Sequence, residues 1–142
     1  MSADDLYQQD ILDLANSADG AGRLGAPDGA AQGDSPLCGD RVRMEVRLDG
    51  GRIVALAHET KGCLLCRAAA AAIGRRAVGL DAARVAALRG EVAELFAGQA
   101  AAVPSWPELQ CFEPVRAHRS RHGCVLLPFD VLAAAMDNAN RA

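Results

Sequence analysis

The sequence predicts an α+β domain: a small antiparallel three-stranded sheet, with the hairpin 41–48/52–58 at its centre, packed against helices. Three observations carry this expectation. Val42, Met44, Val46 and Leu48 alternate with Arg41, Arg43, Glu45 and Arg47, the period-two pattern of a half-buried strand. Asp49-Gly50-Gly51 then leads into a Val-, Ile- and Leu-containing run from Arg52 to His58, and so short a turn permits only an antiparallel hairpin. On both sides of the hairpin, apolar residues recur at helical spacing.

The elements follow in order. Leu6, Ile11, Leu12 and Ala15 place a short amphipathic helix over Asp5 to Ala15, with Asp4 or Asp5 as N-cap. Residues 16–36 are rich in Gly, Ala, Asp and Ser, contain Pro27, and read mostly as loop with a short strand near Arg23-Leu24. After the hairpin, Lys61-Gly62-Cys63-Leu64-Leu65-Cys66-Arg67 marks the change from strand to helix, and helix formers run from Arg67 to Ile73 before Gly74 ends them. Asp81 is an N-cap for a helix that carries Val85, Leu88, Val92, Leu95 and Phe96 on one side, is weakened by Gly90 and is ended by Gly98. A linker over 100–107 holds Pro104, Pro107 and a buried anchor, Trp106, followed by a short turn or helix over Leu109 to Phe112. A mobile basic segment with Arg116, His118, Arg119, Arg121 and His122 precedes the last helix, about Leu126 to Asn138, in which Pro128 falls in the first turn where no N–H is lost.

The bulk properties narrow the function. At 142 residues the chain is one domain, 1–142. Its 18 acidic and 15 basic residues give a net charge of −3, and the scattered basic residues argue against nucleic acid as a partner. The acidic start lacks the basic and apolar regions of a signal peptide, and no apolar run reaches membrane-spanning length, so a cytoplasmic protein is expected. Five cysteines, an odd number, then point to metal or sulfur chemistry rather than disulfide staples.

Cys63 is expected at a helix N-terminus, where unpaired N–H groups, the helix dipole and the nearby Lys61 and Arg67 favour a thiolate over a thiol. The antiparallel hairpin brings Cys38 and Asp40, at the entry of its first strand, beside Cys63, at the exit of its second. If the C-terminal helix docks with its start at that edge, Cys124 completes a set of three thiolates and one carboxylate, suited to zinc or iron.

These segments resemble the U-type iron–sulfur cluster assembly family (SufU, IscU and the NifU N-terminal domain), and the SufU branch most. The resemblance rests on Leu6-Tyr7-Gln8-Gln9-Asp10-Ile11-Leu12-Asp13, on Ser35-Pro36-Leu37-Cys38-Gly39-Asp40-Arg41-Val42, on the Asp-Gly turn and Gly62-Cys63, and on the long interval to Cys124 with Arg121 ahead of it. It implies a SufU/IscU-like fold and metal held by Cys38, Asp40, Cys63 and Cys124, as zinc or as an iron–sulfur cluster. It also implies Cys124 as acceptor of persulfide sulfur from a SufS-like cysteine desulfurase, Asp40 as the exchangeable ligand, and delivery to downstream iron–sulfur assembly proteins. Arg121, His122 and Cys66 are accessory candidates, and the residues leave open whether the protein is a sulfurtransferase-type enzyme or a non-enzymatic scaffold. The chain departs from the family pattern at Gly123, where relatives carry His or Lys, and at Cys66, where they carry a serine-rich stretch. Cys66 has three readings: a spare ligand, a disulfide partner of Cys63, or a small buried residue, the last being favoured. Two rivals remain, a CxxC dithiol oxidoreductase built on Cys63 and Cys66 and a zinc-stabilised interaction module without sulfur chemistry.

Overall fold

The structure, a computed structural model, describes residues 3–35, 39–98 and 104–141. Its elements run α1 (Ala3–Ser17), β1 (Gly29–Ser35), β2 (Asp40–Asp49), β3 (Arg52–Lys61), α2 (Leu64–Arg76), α3 (Ala82–Ala97) and α4 (His122–Arg141), with 3-10 turns over Pro107–Ala117 and Arg119–Arg121 ahead of α4. The three strands form an antiparallel sheet in the order β1-β2-β3. Gly50 and Gly51 both have positive φ, as a two-residue hairpin loop requires, so Asp49 pairs with Arg52 and the alternation of β2 fixes which side chains face the core. Val42, Met44 and Val46 are fully buried on that face. Helices α2 and α4 pack against the sheet, α1 lies on α2, and α3 lies on α4.

Several boundaries differ from the sequence expectation, each for a physical reason. Helix α1 begins at Ala3, ahead of both expected caps; Ile11, Leu14 and Ala15 enter the core, Leu12 points outward, and the side chain of Leu6 lies outside the described residues. The stretch read as loop contains a full strand, β1, paired with β2 from Gly29 to Ser35, while at the expected short strand Leu24 only donates its N–H to Glu45. Gly74 does not end α2: the helix continues to Arg76 because the glycine is where the Asp19 carbonyl packs against it, and a Cβ there would overlap that oxygen. Helix α4 starts four residues earlier than expected, which puts Pro128 inside the helix rather than in its first turn. The basic segment expected as a mobile loop is wound in 3-10 turns.

Other expectations match. Asp81 caps α3 by accepting the Arg84 N–H, Gly98 closes it in the left-handed conformation, and Val85, Leu88, Val92, Leu95 and Phe96 are its buried face. Trp106 is buried against Phe129, although 100–103 of the expected linker lie outside the described residues. No described helix is long and apolar enough to cross a membrane.

Candidate metal centre

The site forms where β2 enters the sheet and β3 leaves it. Arg41 pairs with Lys61, so Asp40 lies one residue beyond that pair, opposite Gly62. The chain turns into α2 there, with Cys63 as its extended N-cap residue. The Asp40 carboxylate is wholly buried and spans the junction: Oδ1 accepts the Cys63 N–H at 2.7 Å and Oδ2 accepts the Cys63 thiol at 3.5 Å. An anion at a helix N-terminus is favoured by the unpaired N–H groups and by the helix dipole, which offsets part of the cost of burying it. Gly62 is required for this approach, because a Cβ there would fall on Oδ1 of Asp40 and within 2.8 Å of its Cγ. Gly62 was visible in the sequence only as the neighbour of Cys63; the carboxylate it makes room for is 22 residues away.

Cys124 is brought in by α4, which packs on β1 and β2 and against α2. It sits in the first turn of α4 and is fully buried. What brings it in is the small-residue face of β1: a Cβ on Gly29 would overlap the Ala135 carbonyl of α4, and one on Gly33 would meet Val131 at 2.7 Å. With no side chains at these two positions, the helix lies directly on the strand. Ligand atoms of Asp40, Cys63 and Cys124 consequently all lie within 4.8 Å of one another, the only such group of metal-ligating side chains among the described residues. Cys38, the fourth expected ligand, lies outside the described residues, as do Pro36 and Leu37 of its motif.

Two sulfurs and a carboxylate oxygen at this spacing fit a small tetrahedral cation, for which thiolates about 2.3 Å from the metal stand about 3.8 Å apart. Of the accessory candidates, Cys66 and His122 are not among the three converging ligands. Cys66 is buried one helical turn into α2, and Arg121 is exposed at the end of the last 3-10 turn. His122 stacks on Phe96 with ring centroids 4.4 Å apart, and its Nε2 faces the carbonyls of Val115 and Arg116, so it joins α4 to α3 and to the preceding turn. His118 is exposed. His58 is buried between Thr60 and the Asp19 carbonyl, and desolvation lowers its pKa. Cys111 is buried away from the group, and its thiol is pushed up to about 12 by desolvation, with Asp10 adding to the shift. No disulfide joins any two of the described cysteines.

The family model of the NifU-like N terminal domain matches residues 6–106, which include the whole hairpin, Asp40 and Cys63. The chain belongs to that family. NifU-like N-terminal domains are scaffolds of iron–sulfur cluster assembly of the IscU and SufU type. Over 136 residues the chain is 22% identical to the iron-sulfur cluster assembly scaffold protein IscU of Thermotoga maritima, covering 96% of each chain. Among solved structures it is similar to a nitrogen-fixing NifU-like protein (N-terminal) from Brucella abortus, with a TM-score of 0.89 and 30% identity over 97% of this chain and 96% of that one. A putative scaffold protein for the SUF system from Fervidobacterium islandicum shares the fold at a TM-score of 0.84 and 21% identity, with 95% of this chain and 99% of that one covered. The α+β class, the antiparallel sheet and the family read from the sequence all hold. The oxidoreductase rival finds no support: a thioredoxin-type CxxC needs a βαβ setting, whereas α2 follows the edge strand of a wholly antiparallel sheet.

Proposed function

We propose that the protein is a metal-binding scaffold and sulfur acceptor of iron–sulfur cluster assembly, with Cys38, Asp40, Cys63 and Cys124 as ligands and Cys124 as the acceptor. The observation that carries this reading is the convergence of Asp40, Cys63 and Cys124 within 4.8 Å at the hairpin end. A bound zinc or iron ion would hold the thiols as thiolates and keep them together until sulfur or iron is delivered.

The chain's own residues divide the work. Asp40 can leave a metal without leaving its place, because its Oδ1 stays bonded to the Cys63 N–H while Oδ2 turns away. The buried Cys124 must become accessible to a cysteine desulfurase, and Pro128 favours this: it has no N–H to donate to the Cys124 carbonyl, so the first turn of α4 lacks one helical hydrogen bond. The Cys124 thiolate then attacks the outer sulfur of the desulfurase persulfide, takes that sulfur, and leaves the desulfurase cysteine as a thiolate. Arg119 and Arg121 lie exposed beside this turn and give an approaching anionic persulfide a positive field.

Incubation of the metal-loaded protein with a desulfurase and L-cysteine, followed by mass spectrometry, tests the reading. One sulfur should add to the wild type and none to Cys124→Ser, and Cys63→Ser should lose its metal by elemental analysis. Sulfur mapped to Cys111, or full metal content in Cys63→Ser, would refute it.

A further inference from the structure

Cys66 is the one thiol near the site that the proposed function leaves unused. Its place on α2 gives it chemistry of its own. Cys63 is the N-cap residue of that helix and Cys66 is N3, with the first helical hydrogen bond, from the Arg67 N–H to the Cys63 carbonyl at 3.1 Å, closing the turn that holds both. An N-cap side chain can turn over the N3 residue, as it does when a serine or threonine caps a helix. Residues three apart on a helix have Cβ atoms about 5–6 Å apart. A disulfide needs about 3.5–4.5 Å, so joining the two thiols requires the Cys63 side chain to turn over N3 and the Cβ atoms to close by about 1–2 Å. The Cys63 thiol makes no capping bond and instead points at Asp40. Turned over N3 instead, the same side chain would face Cys66. The burial of the pair is also unequal: Cys63 is half-buried, whereas Cys66 is 0% exposed.

We infer that Cys66 is a resolving thiol that reduces sulfur carried on Cys63 and releases it as sulfide. This rests on the persulfide-acceptor reading above. Because the Cys63 and Cys124 sulfurs lie within 4.8 Å, sulfur taken by Cys124 passes to Cys63 by the same exchange that brought it in. The Cys63 thiolate attacks the outer sulfur of the Cys124 persulfide, and Cys124 leaves as a thiolate. Cys66 then attacks the inner sulfur, Sγ of Cys63. The bond from Sγ to the outer sulfur breaks, the Cys63–Cys66 disulfide forms, and HS⁻ leaves with the proton of the Cys66 thiol. Two cysteine sulfurs supply the two electrons that convert sulfane sulfur to sulfide, the oxidation state that a cluster contains. An external dithiol reductant returns the disulfide to two thiols. A metal on Cys63 would hold the thiol away from Cys66, which would confine release to the metal-free, sulfur-loaded chain.

The test strips the full-length chain of metal with a chelator, loads it anaerobically with a cysteine desulfurase and L-cysteine, removes small thiols, and measures free sulfide together with the disulfides mapped after alkylation. The wild type should yield about one equivalent of sulfide per chain and a Cys63–Cys66 disulfide. Cys66→Ala and Cys66→Ser should keep the added sulfur and lose sulfide release, and their metal content before stripping should match the wild type as a check on folding. Cys111→Ala should behave as the wild type. A wild type that keeps its added sulfur without a Cys63–Cys66 disulfide, or that joins Cys63 to Cys124 instead, overturns the inference and leaves the acceptor reading standing. A wild type that takes up no sulfur overturns both. The disulfide map is read on the wild type, so the outcome does not depend on how either Cys66 variant folds.

Discussion

At the scale of single residues, the site depends on one missing side chain as much as on the ligands. Asp40 reaches the start of α2 only because Gly62 has no Cβ, and the same carboxylate accepts the Cys63 N–H and faces the Cys63 sulfur. A residue that holds a ligand in place without binding metal typically changes affinity by roughly 10–100-fold when it is replaced. Gly62→Ala should therefore weaken metal binding by that order in competition with a chromophoric chelator, while the far-ultraviolet circular dichroism stays unchanged. Unaltered affinity would mean that Asp40 is not held through this contact.

At the scale of elements, the decisive contact is that of α4 on β1. The strand presents Gly29 and Gly33 to the helix, and the fit leaves no room for a methyl group at Gly29, where the Ala135 carbonyl and the Ala139 N–H lie in the way. Overpacking of this kind costs about 1–3 kcal/mol, so Gly29→Ala should lower stability to denaturant by that order. It should also weaken metal binding, because the helix that is pushed away carries Cys124. Gly90, inside α3 with open space around it, is the contrasting case. There Gly90→Ala should stabilise by about 0.5–1 kcal/mol and leave metal affinity alone. Equal effects at the two glycines would show that β1 does not position α4.

At the scale of the whole molecule, three buried or partly buried titratable groups tie distant segments together and set the response to acid. Desolvation lowers the pKa of His58 from its ordinary 6.5, and its ring holds the Asp19 carbonyl against β3. The Leu24 N–H, helped by Arg43, holds Glu45 below 4.5 and fastens the segment before β1 onto β2. Burial raises Glu108, but its hydrogen bonds from Arg76 outweigh that and leave it below 4.5, joining α2 to the 3-10 turn. All three folded-state values are depressed, so the unfolded chain binds protons first as the pH falls, and stability present at neutral pH is lost on acidification. The His58 contribution is complete above 6.5 and declines below it; the carboxylate contributions decline below 4.5. Denaturant unfolding of chelator-treated protein should show two steps of falling stability, and His58→Gln should remove the upper one. If the upper step persists in His58→Gln, the neutral buried imidazole is not its cause.

What the sequence determined by itself was whatever local rules specify. Alternation and a Gly-Gly turn defined the hairpin, Asp81 and Gly98 bounded α3, and Cys63 at the strand-to-helix change placed Asp40 beside it through antiparallel pairing alone. Tertiary structure decided whatever depends on the space left between elements. The small residues of β1 carry no periodic apolar signal, so they read as loop, yet their smallness is what admits α4 and places Cys124. Gly74 and Pro128 read as a helix end and a helix start because those are the local preferences of glycine and proline. Packing against the Asp19 carbonyl kept Gly74 inside α2, and an earlier start of α4 put Pro128 in its interior, because contacts over a whole helix outweigh the preference of one residue.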